Sequence, residues 1–324
     1  MIVKTRSYPI EIMMLEAIVR RFPPHNPRKD EFKEKLMRKR AGYKGEFTLD
    51  YYMSQIDHSN FMILQDLRIP HNGTHFQIDT LLISSTFILI IESKNYAGIL
   101  EFYPEFNQLI RTLNGVQEAF PDPIIQTKIQ ASQLKSFLSK NHQFTLPPIK
   151  FLVAMSNSQA IIKNPTNNKE VSQKVCRTSS IAFRIKPLEE EYKNPTLSKK
   201  EIKKIVKLLL NSHTPFIPDL ASMNLPLEDM IQGVQCLQCN KFHMDRIHGS
   251  WICKHCGHVS KEAHIPAIKD FFLLYGFQIS NKQLRRFLLI NSVYTGNRIL
   301  QALELLTTGS TKDRIYSPPK NFFE

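Results

Sequence analysis

No run in this 324-residue sequence approaches the roughly 18 consecutive apolar residues of a membrane-spanning helix. The first residues, MIVKTRSYPIEIM, carry an early Lys and Arg but lack the apolar stretch of a secretory signal. An unanchored cytoplasmic protein is the expectation. Cysteine is scarce as well: there are five, and four of them form two Cys-x-x-Cys pairs. That spacing argues against a disulfide framework and for metal ligation in a reducing compartment. The fifth, Cys176, reads as a small buried hydrophobe. Acidic residues are in deficit, 29 Asp and Glu against 43 Lys and Arg, which leaves a net charge of +14. Because phosphate neutralisation by Lys and Arg supplies most nonspecific nucleic-acid affinity, the excess favours a polyanionic partner. An anionic membrane surface fits the charge equally well. With no inserting segment, nucleic acid, DNA in the first instance, is the partner expected, and no membrane.

What the sequence does hold is a stretch, residues 77–96, reading QIDTLLISSTFILIIESKNY, with two carboxylates and a lysine inside an otherwise apolar run. Residues 76–83 and 86–92 have the Ile, Leu, Phe and Thr content of strands around a Ser84-Ser85 turn. In the antiparallel hairpin this predicts, Ile83 faces Thr86 and Asp79 lies opposite Ile90. Alternation then puts Ile90, Glu92 and Lys94 on one face with Asp79. Asp79 and Glu92 become diagonal neighbours, roughly 7–8 Å apart at the backbone, close enough to hold one hard cation. A slip of one residue would send Asp79 to the other face. Burying these carboxylates beside Ile88 and Ile90 is costly unless their charge is paired or metal-bound. The plainer reading is an edge hairpin whose Glu92 and Lys94 are solvated or paired with each other.

Five motifs follow in order: Gly42-Tyr43-Lys44-Gly45-Glu46, Ile63-Leu64-Gln65-Asp66-Leu67, Gln77-Ile78-Asp79, Ile91-Glu92-Ser93-Lys94-Asn95-Tyr96 and Asp122-Pro123-Ile124-Ile125-Gln126. Together they resemble the nuclease-related domain (NERD) family, a branch of the PD-(D/E)XK, restriction-endonuclease-like superfamily. The resemblance covers roughly residues 10–160. It implies that Asp79 and Glu92 are ligands of a catalytic Mg2+ or Mn2+, with the Ser93 carbonyl beside them. It makes Lys94 the catalytic lysine, Glu46 the acidic residue borne on a helix, and Gln126 the Gln of the family pattern. Ile78 departs from the Pro that many superfamily members place before the Asp. The fold implied is α/β, a restriction-endonuclease-like core in which a mixed sheet is flanked by helices. Periodicity alone says only α/β.

Around this core, residues 10–22 read as an amphipathic helix stopped by Pro23-Pro24, and residues 30–40 as a charge-dense helix. Residues 43–56 read as a further helix, with Glu46 in its first turn and Phe47, Tyr51 and Tyr52 turned to the core. A hairpin over 99–113 closes at Asn114-Gly115. Pro123 opens a helix to about residue 140 that buries Ile129, Leu134, Phe137 and Leu138. Residues 181–185 look strand-like. Ser198 and Glu201 make a capping box for a helix through Leu210, which carries Lys199, Lys200, Lys203, Lys204 and Lys207 on its outer face. That face is either simply solvated or a rail for the DNA backbone. A Pro-rich stretch over 214–226 reads as a linker.

Cys236, Cys239, Cys253 and Cys256 have the spacing of a structural Zn2+ ribbon, four thiolates around one ion. Gly257 suits the turn that aims N–H groups at sulfur, and Trp251 covers the small core. Four cysteines close the shell, so His243, His248, His255 and His258 are not needed as ligands. Three helical stretches from 267 to about 306 follow. They are read either as a helix-turn-helix with Tyr294, Thr295, Asn297 and Arg298 early on its second helix, or as a plain interaction module. The organisation expected is an N-terminal helical extension (1–40), the NERD domain (41–213), a linker (214–230), the zinc ribbon (231–262), the helical module (263–310) and a loose tail (311–324). The function expected is that of a metal-dependent endo- or exonuclease in DNA processing or repair. Two alternatives are a noncatalytic DNA-binding or regulatory protein on the same fold, and an adaptor that binds protein partners through the ribbon or C-terminal helices.

Overall fold

Strand β1 (Ile2–Lys4) is followed by helices α1 (Ile10–Arg21) and α2 (Lys29–Met53), then by strands β2 (Met62–His71), β3 (Thr74–Ile83) and β4 (Ile88–Lys94). A second group comprises β5 (Ile99–Tyr103), β6 (Gln108–Leu113), β7 (Val116–Pro121), α3 (Pro123–Asn141), β8 (Ile149–Met155) and β9 (Ile161–Lys163). Next come α4 (Lys169–Lys174), β10 (Val175–Arg177), α5 (Ile181–Glu191) and α6 (Lys199–Ser212). The remainder holds β11 (Asp245–Ile247), β12 (Ser250–Ile252), β13 (Val259–Ser260), α7 (His264–Tyr275), β14 (Ile279–Ser280), α8 (Asn281–Leu288), α9 (Val293–Gln301), β15 (Leu306–Thr308) and β16 (Ile315–Ser317). This is a computed structural model, and it describes residues 1–141, 145–310 and 313–323. The chain forms two units: Met1–Ser7 with Arg40–Pro215, and Tyr8–Lys39 with Phe216–Glu324. An extension over 1–40 standing apart is therefore not what is found.

The first unit is built on a six-stranded mixed sheet in the order β1-β2-β3-β4-β8-β10, in which β2, β3 and β4 run antiparallel and β4, β8 and β10 parallel. One face buries Leu81, Ile83, Ile88 and Ile90 beneath Leu134, Phe137 and Leu138 of α3 and Ile202, Ile205 and Leu209 of α6. The other buries Leu82, Leu89 and Ile91 beneath Leu49 and Met53 of α2 and Ile181 and Ile185 of α5. Helices on both faces make the mixed α/β core that was expected. A second sheet, β7-β6-β5-β9, closes one flank over Phe102, Leu109 and Ile124.

Several local expectations are corrected. The charge-dense and aromatic helices are one helix, α2, because Gly42 and Gly45 do not break it. Phe47 and Tyr51 point outward, 61% and 58% exposed, while Leu49 and Met53 take the core positions. Ile129 is likewise exposed on α3, and residues 181–185 begin a helix. The hairpin over 99–113 is two strands, parted where Asn107 takes φ 53°, and Asn114-Gly115 joins β6 to β7 instead. The capping box of α6 is present, as is the outward row of lysines. Cys176 is buried, and burial pushes its thiol up to about 11, which leaves it inert.

In the second unit, β11, β12 and β13 form a three-stranded sheet that presents Trp251 to the core. Helix α1 buries Arg21 completely. Its Nε donates to Asp270 Oδ2 of α7 at 2.8 Å and one Nη to the Ile231 carbonyl at 2.7 Å, and its guanidinium carbon lies 4.4 Å from the Phe287 ring centroid. Arg20 pairs with the same carboxylate. The tail is not loose over 313–323: β16 pairs with β14 and β15 and buries Tyr316. Positions 311, 312 and 324 lie outside the described residues.

Candidate active site

The site is set by how β3 meets β4. The turn takes four residues, not two, because the Ser84 hydroxyl bonds the Phe87 carbonyl and accepts from the Thr86 and Phe87 N–H groups, while Phe87 buries against Phe61. The observed register is Ile83↔Ile88, Leu81↔Ile90 and Thr80↔Ile91. The expected register is thus off by two, which moves every partner and preserves every face. Counted back from Thr80↔Ile91, Asp79 falls level with Glu92 and not diagonal to it.

At Asp79 the ladder changes. Leu64 and Leu67 of β2, and Ile78 and Leu81 of β3, all join one cluster, so the alternation of buried side chains breaks between them. Asp66, flanked by the pairs Gln65↔Thr80 and Leu67↔Ile78, has φ 50°. Here β3 and β4 cease to pair, and the Asp79 carboxylate fills the gap: its Oδ2 accepts the Ser93 N–H at 2.8 Å. Asp79 is 8% exposed and Glu92 3%.

Both oxygens of Glu92 are held. Oε1 accepts from Lys94 Nζ at 2.6 Å and from Gln126 Nε2 at 2.7 Å, and Oε2 accepts from Gln130 Nε2 at 2.9 Å. Helix α3 supplies both amides because Asp122 Oδ1 caps it at the Ile124 N–H and Pro123 occupies its first turn. The motif Asp122-Pro123-Ile124-Ile125-Gln126 thus starts the helix at the place where Gln126, and Gln130 one turn on, reach Glu92.

Glu46 lies in mid-helix, so the first-turn dipole does not act on it. It pairs instead with Arg6 Nη1 at 2.6 Å. Arg6 also donates through Nε to Asp50 Oδ2 at 2.9 Å and through Nη2 to the Asp79 carbonyl at 2.8 Å. Gly45 allows α2 to come this close: a Cβ there would sit 2.5 Å from Ser156 Oγ and 2.6 Å from Asn95 Cβ.

The electrostatics show a pocket short of positive charge. Burial, then the nearby Glu92 and Glu46 charges, hold the Asp79 carboxyl well above the usual range. Glu46 is raised by burial against the pull of Arg6. Burial works against the Lys94 ammonium, yet Glu92 outweighs it and keeps Lys94 above its ordinary value.

Residues 41–156 match the nuclease-related domain family. The matched stretch lies within the first unit and holds Glu46, Asp79, Glu92, Lys94 and Gln126. No curated protein and no solved structure matches the chain. Two residues around this pocket were not expected from the sequence. Gln130 was in reach, four residues after Gln126 on one helix face. Arg6 lies 73 residues from Asp79 with no spacing to link them.

The four cysteines form a second centre. Their sulfurs lie within 4.8 Å of one another, with Cys236 and Cys256 at 3.6 Å and Cys239 and Cys253 at 3.5 Å. A tetrahedral ion with Zn–S near 2.3 Å needs sulfurs about 3.8 Å apart, so the set fits Zn2+. Burial pushes the Cys253 thiol up, but N–H groups of Cys256 and His255 and the neighbouring thiols bring it down to about 7. Gly257, at φ 73°, closes the second knuckle with its N–H on the Cys253 carbonyl at 2.9 Å. Among the described residues this is the one group of three or more His, Cys, Asp or Glu gathered so closely. Glu46, Asp79 and Glu92 do not form such a triad.

Proposed function

We propose that the first unit is a metal-dependent nuclease hydrolysing phosphodiester bonds of nucleic acid, DNA in the first instance. The observation that carries this reading is the buried Asp79, Glu92 and Lys94 group, braced by α3 and Arg6 inside the NERD stretch. Its oxygen donors suit a hard cation such as Mg2+ or Mn2+, and the charge shortage at Asp79 is of the kind such an ion relieves. Asp79 and Glu92, with the Ser93 carbonyl, would hold it; when bound it polarises the phosphate and neutralises developing charge. Lys94, kept protonated by Glu92, orients the attacking water and stabilises the added negative charge on phosphorus. It can accept a proton from that water only once Glu92 is engaged elsewhere and the ammonium has released its own. Gln126 and Gln130 position Glu92, and Arg6 positions Glu46 and the Asp79 backbone. The exposed lysines of α6 offer a face for the substrate backbone.

The noncatalytic alternative draws support from the full set of hydrogen bonds on Glu92, which satisfy it without a metal. Nicking of supercoiled plasmid, with and without Mg2+ or Mn2+, separates the two. The nuclease reading expects metal-dependent nicking that Asp79→Ala and Lys94→Ala each reduce by about 100-fold or more. An inactive wild type that still binds DNA supports the noncatalytic reading, and a wild type that neither cuts nor binds supports the adaptor.

A further inference from the structure

The second unit carries a feature that the three-helix expectation missed. From α7 onward the order is helix, strand, helix, helix, strand, strand, and the strands pair as β14-β16-β15, the last in sequence lying between the other two. That is the topology of a winged helix, with the antiparallel pair β15 and β16 as its wing. The turn between α8 and α9 is fixed by Leu289, at φ 59°, and by Ser292, whose hydroxyl caps α9 at the Thr295 N–H. At Gly296 the helices cross so closely that a Cβ would lie 2.7 Å from Asn281 Nδ2. Asn281 ties the pair together by donating to the Val293 carbonyl at 3.1 Å and to Asn297 Oδ1 at 2.7 Å.

We propose that this module docks duplex DNA, with α9 entering the major groove and the outer side of α8 meeting the flanking phosphates. Charge supports it first: no Asp or Glu occurs between Asp270 and Glu304, while Lys282, Arg285, Arg286 and Arg298 fall within that span. Three of these cations, with Asn291, line one depression beside the turn. Among the described residues no carboxylate lies in ion-pair range of Lys282, Arg286 or Arg298. The outer face of α9 supports it next. Tyr294 is 71% exposed, and Asn297, Arg298 and Gln301 are exposed beside it, a row of hydrogen-bonding groups suited to base edges. Arg246 of β11, whose guanidinium carbon lies 5.1 Å from the Trp251 ring centroid, places a further like charge near Arg298 and extends the positive face. B-form DNA admits a helix in its major groove, whereas the deep, narrow major groove of RNA does not. The docking is independent of cutting, because all these groups lie in the second unit.

The test is fluorescence anisotropy of the zinc-loaded full chain, without Mg2+ or Mn2+, on a labelled duplex of about two helical turns. Lys282→Glu with Arg286→Glu should weaken binding about tenfold or more and flatten the salt dependence by about two phosphate contacts. Arg298→Ala with Gln301→Ala should also weaken it about tenfold, with less change in salt slope. Melting temperature and zinc content should match the wild type in both. A wild type that does not bind duplex, or binding that neither folded variant alters, overturns the proposal. Displacement by duplex RNA at equal concentration overturns the assignment to the major groove.

Discussion

Asp79 is where the physical cost of the site is concentrated. It is buried against Glu92 and Glu46, and its hydrogen bond from the Ser93 N–H does not offset their charge. Asp79→Asn keeps an acceptor for that N–H and removes the like-charge repulsion. Thermal melting of the protein without Mg2+ or Mn2+ should therefore show a gain of about 1 kcal/mol, together with loss of nicking. His264 gives a pH test of a different kind. Burial, then the Arg246 charge, lower its pKa from 6.5 to about 4, and its neutral Nδ1 accepts from Trp251 Nε1 at 3.1 Å. Above pH 6.5 it contributes nothing to pH dependence. As pH falls from 6.5 towards 4 the unfolded chain takes a proton that the fold refuses, so stability declines across that window and the decline ends below it. His264→Gln should lessen the slope in acid-unfolding curves. At this scale the sequence was informative where chemistry is local: Asp79, Glu92 and Lys94 sit within one short stretch. Arg6 was invisible because its role depends on β1 joining the sheet beside β2.

Among elements, parity survived and length did not. Alternation told which residues share a face, but not that Ser84 would lengthen the turn to four residues, so the register was off by two without harm to the site. The aromatic residues of α2 misled for a related reason: Phe47 and Tyr51 are apolar, yet the stripe of Leu49 and Met53 faces the sheet. Gly45, expected in the first turn of a helix over 43–56, lies in mid-helix and makes a close contact. Gly45→Ala should force α2 away from Asn95 and Ser156, costing about 1–3 kcal/mol in denaturant unfolding and lowering nicking through Glu46. In the second unit, Asp270→Ala would leave Arg21 buried without its carboxylate between α1 and α7. A loss of about 3–5 kcal/mol in urea unfolding is expected.

At the scale of the whole molecule, composition pointed to a linker and could not reveal that residues 8–39 join 216–324. The zinc spacing was legible because two knuckles need fixed separations, whereas the wing was not, since strands of two or three residues carry no periodic signal. Chelation of zinc should lower the melting transition of the second unit and leave that of the first unit in place, which calorimetry of the full chain would resolve. A cation held between Asp79 and Glu92 is tested by titrating the zinc-loaded chain with Mn2+, followed by electron paramagnetic resonance. One bound Mn2+ in the wild type, lost in both Asp79→Asn and Glu92→Gln, is the predicted result. Equal binding by all three proteins, or no binding by the wild type, would contradict a catalytic cation between these two carboxylates.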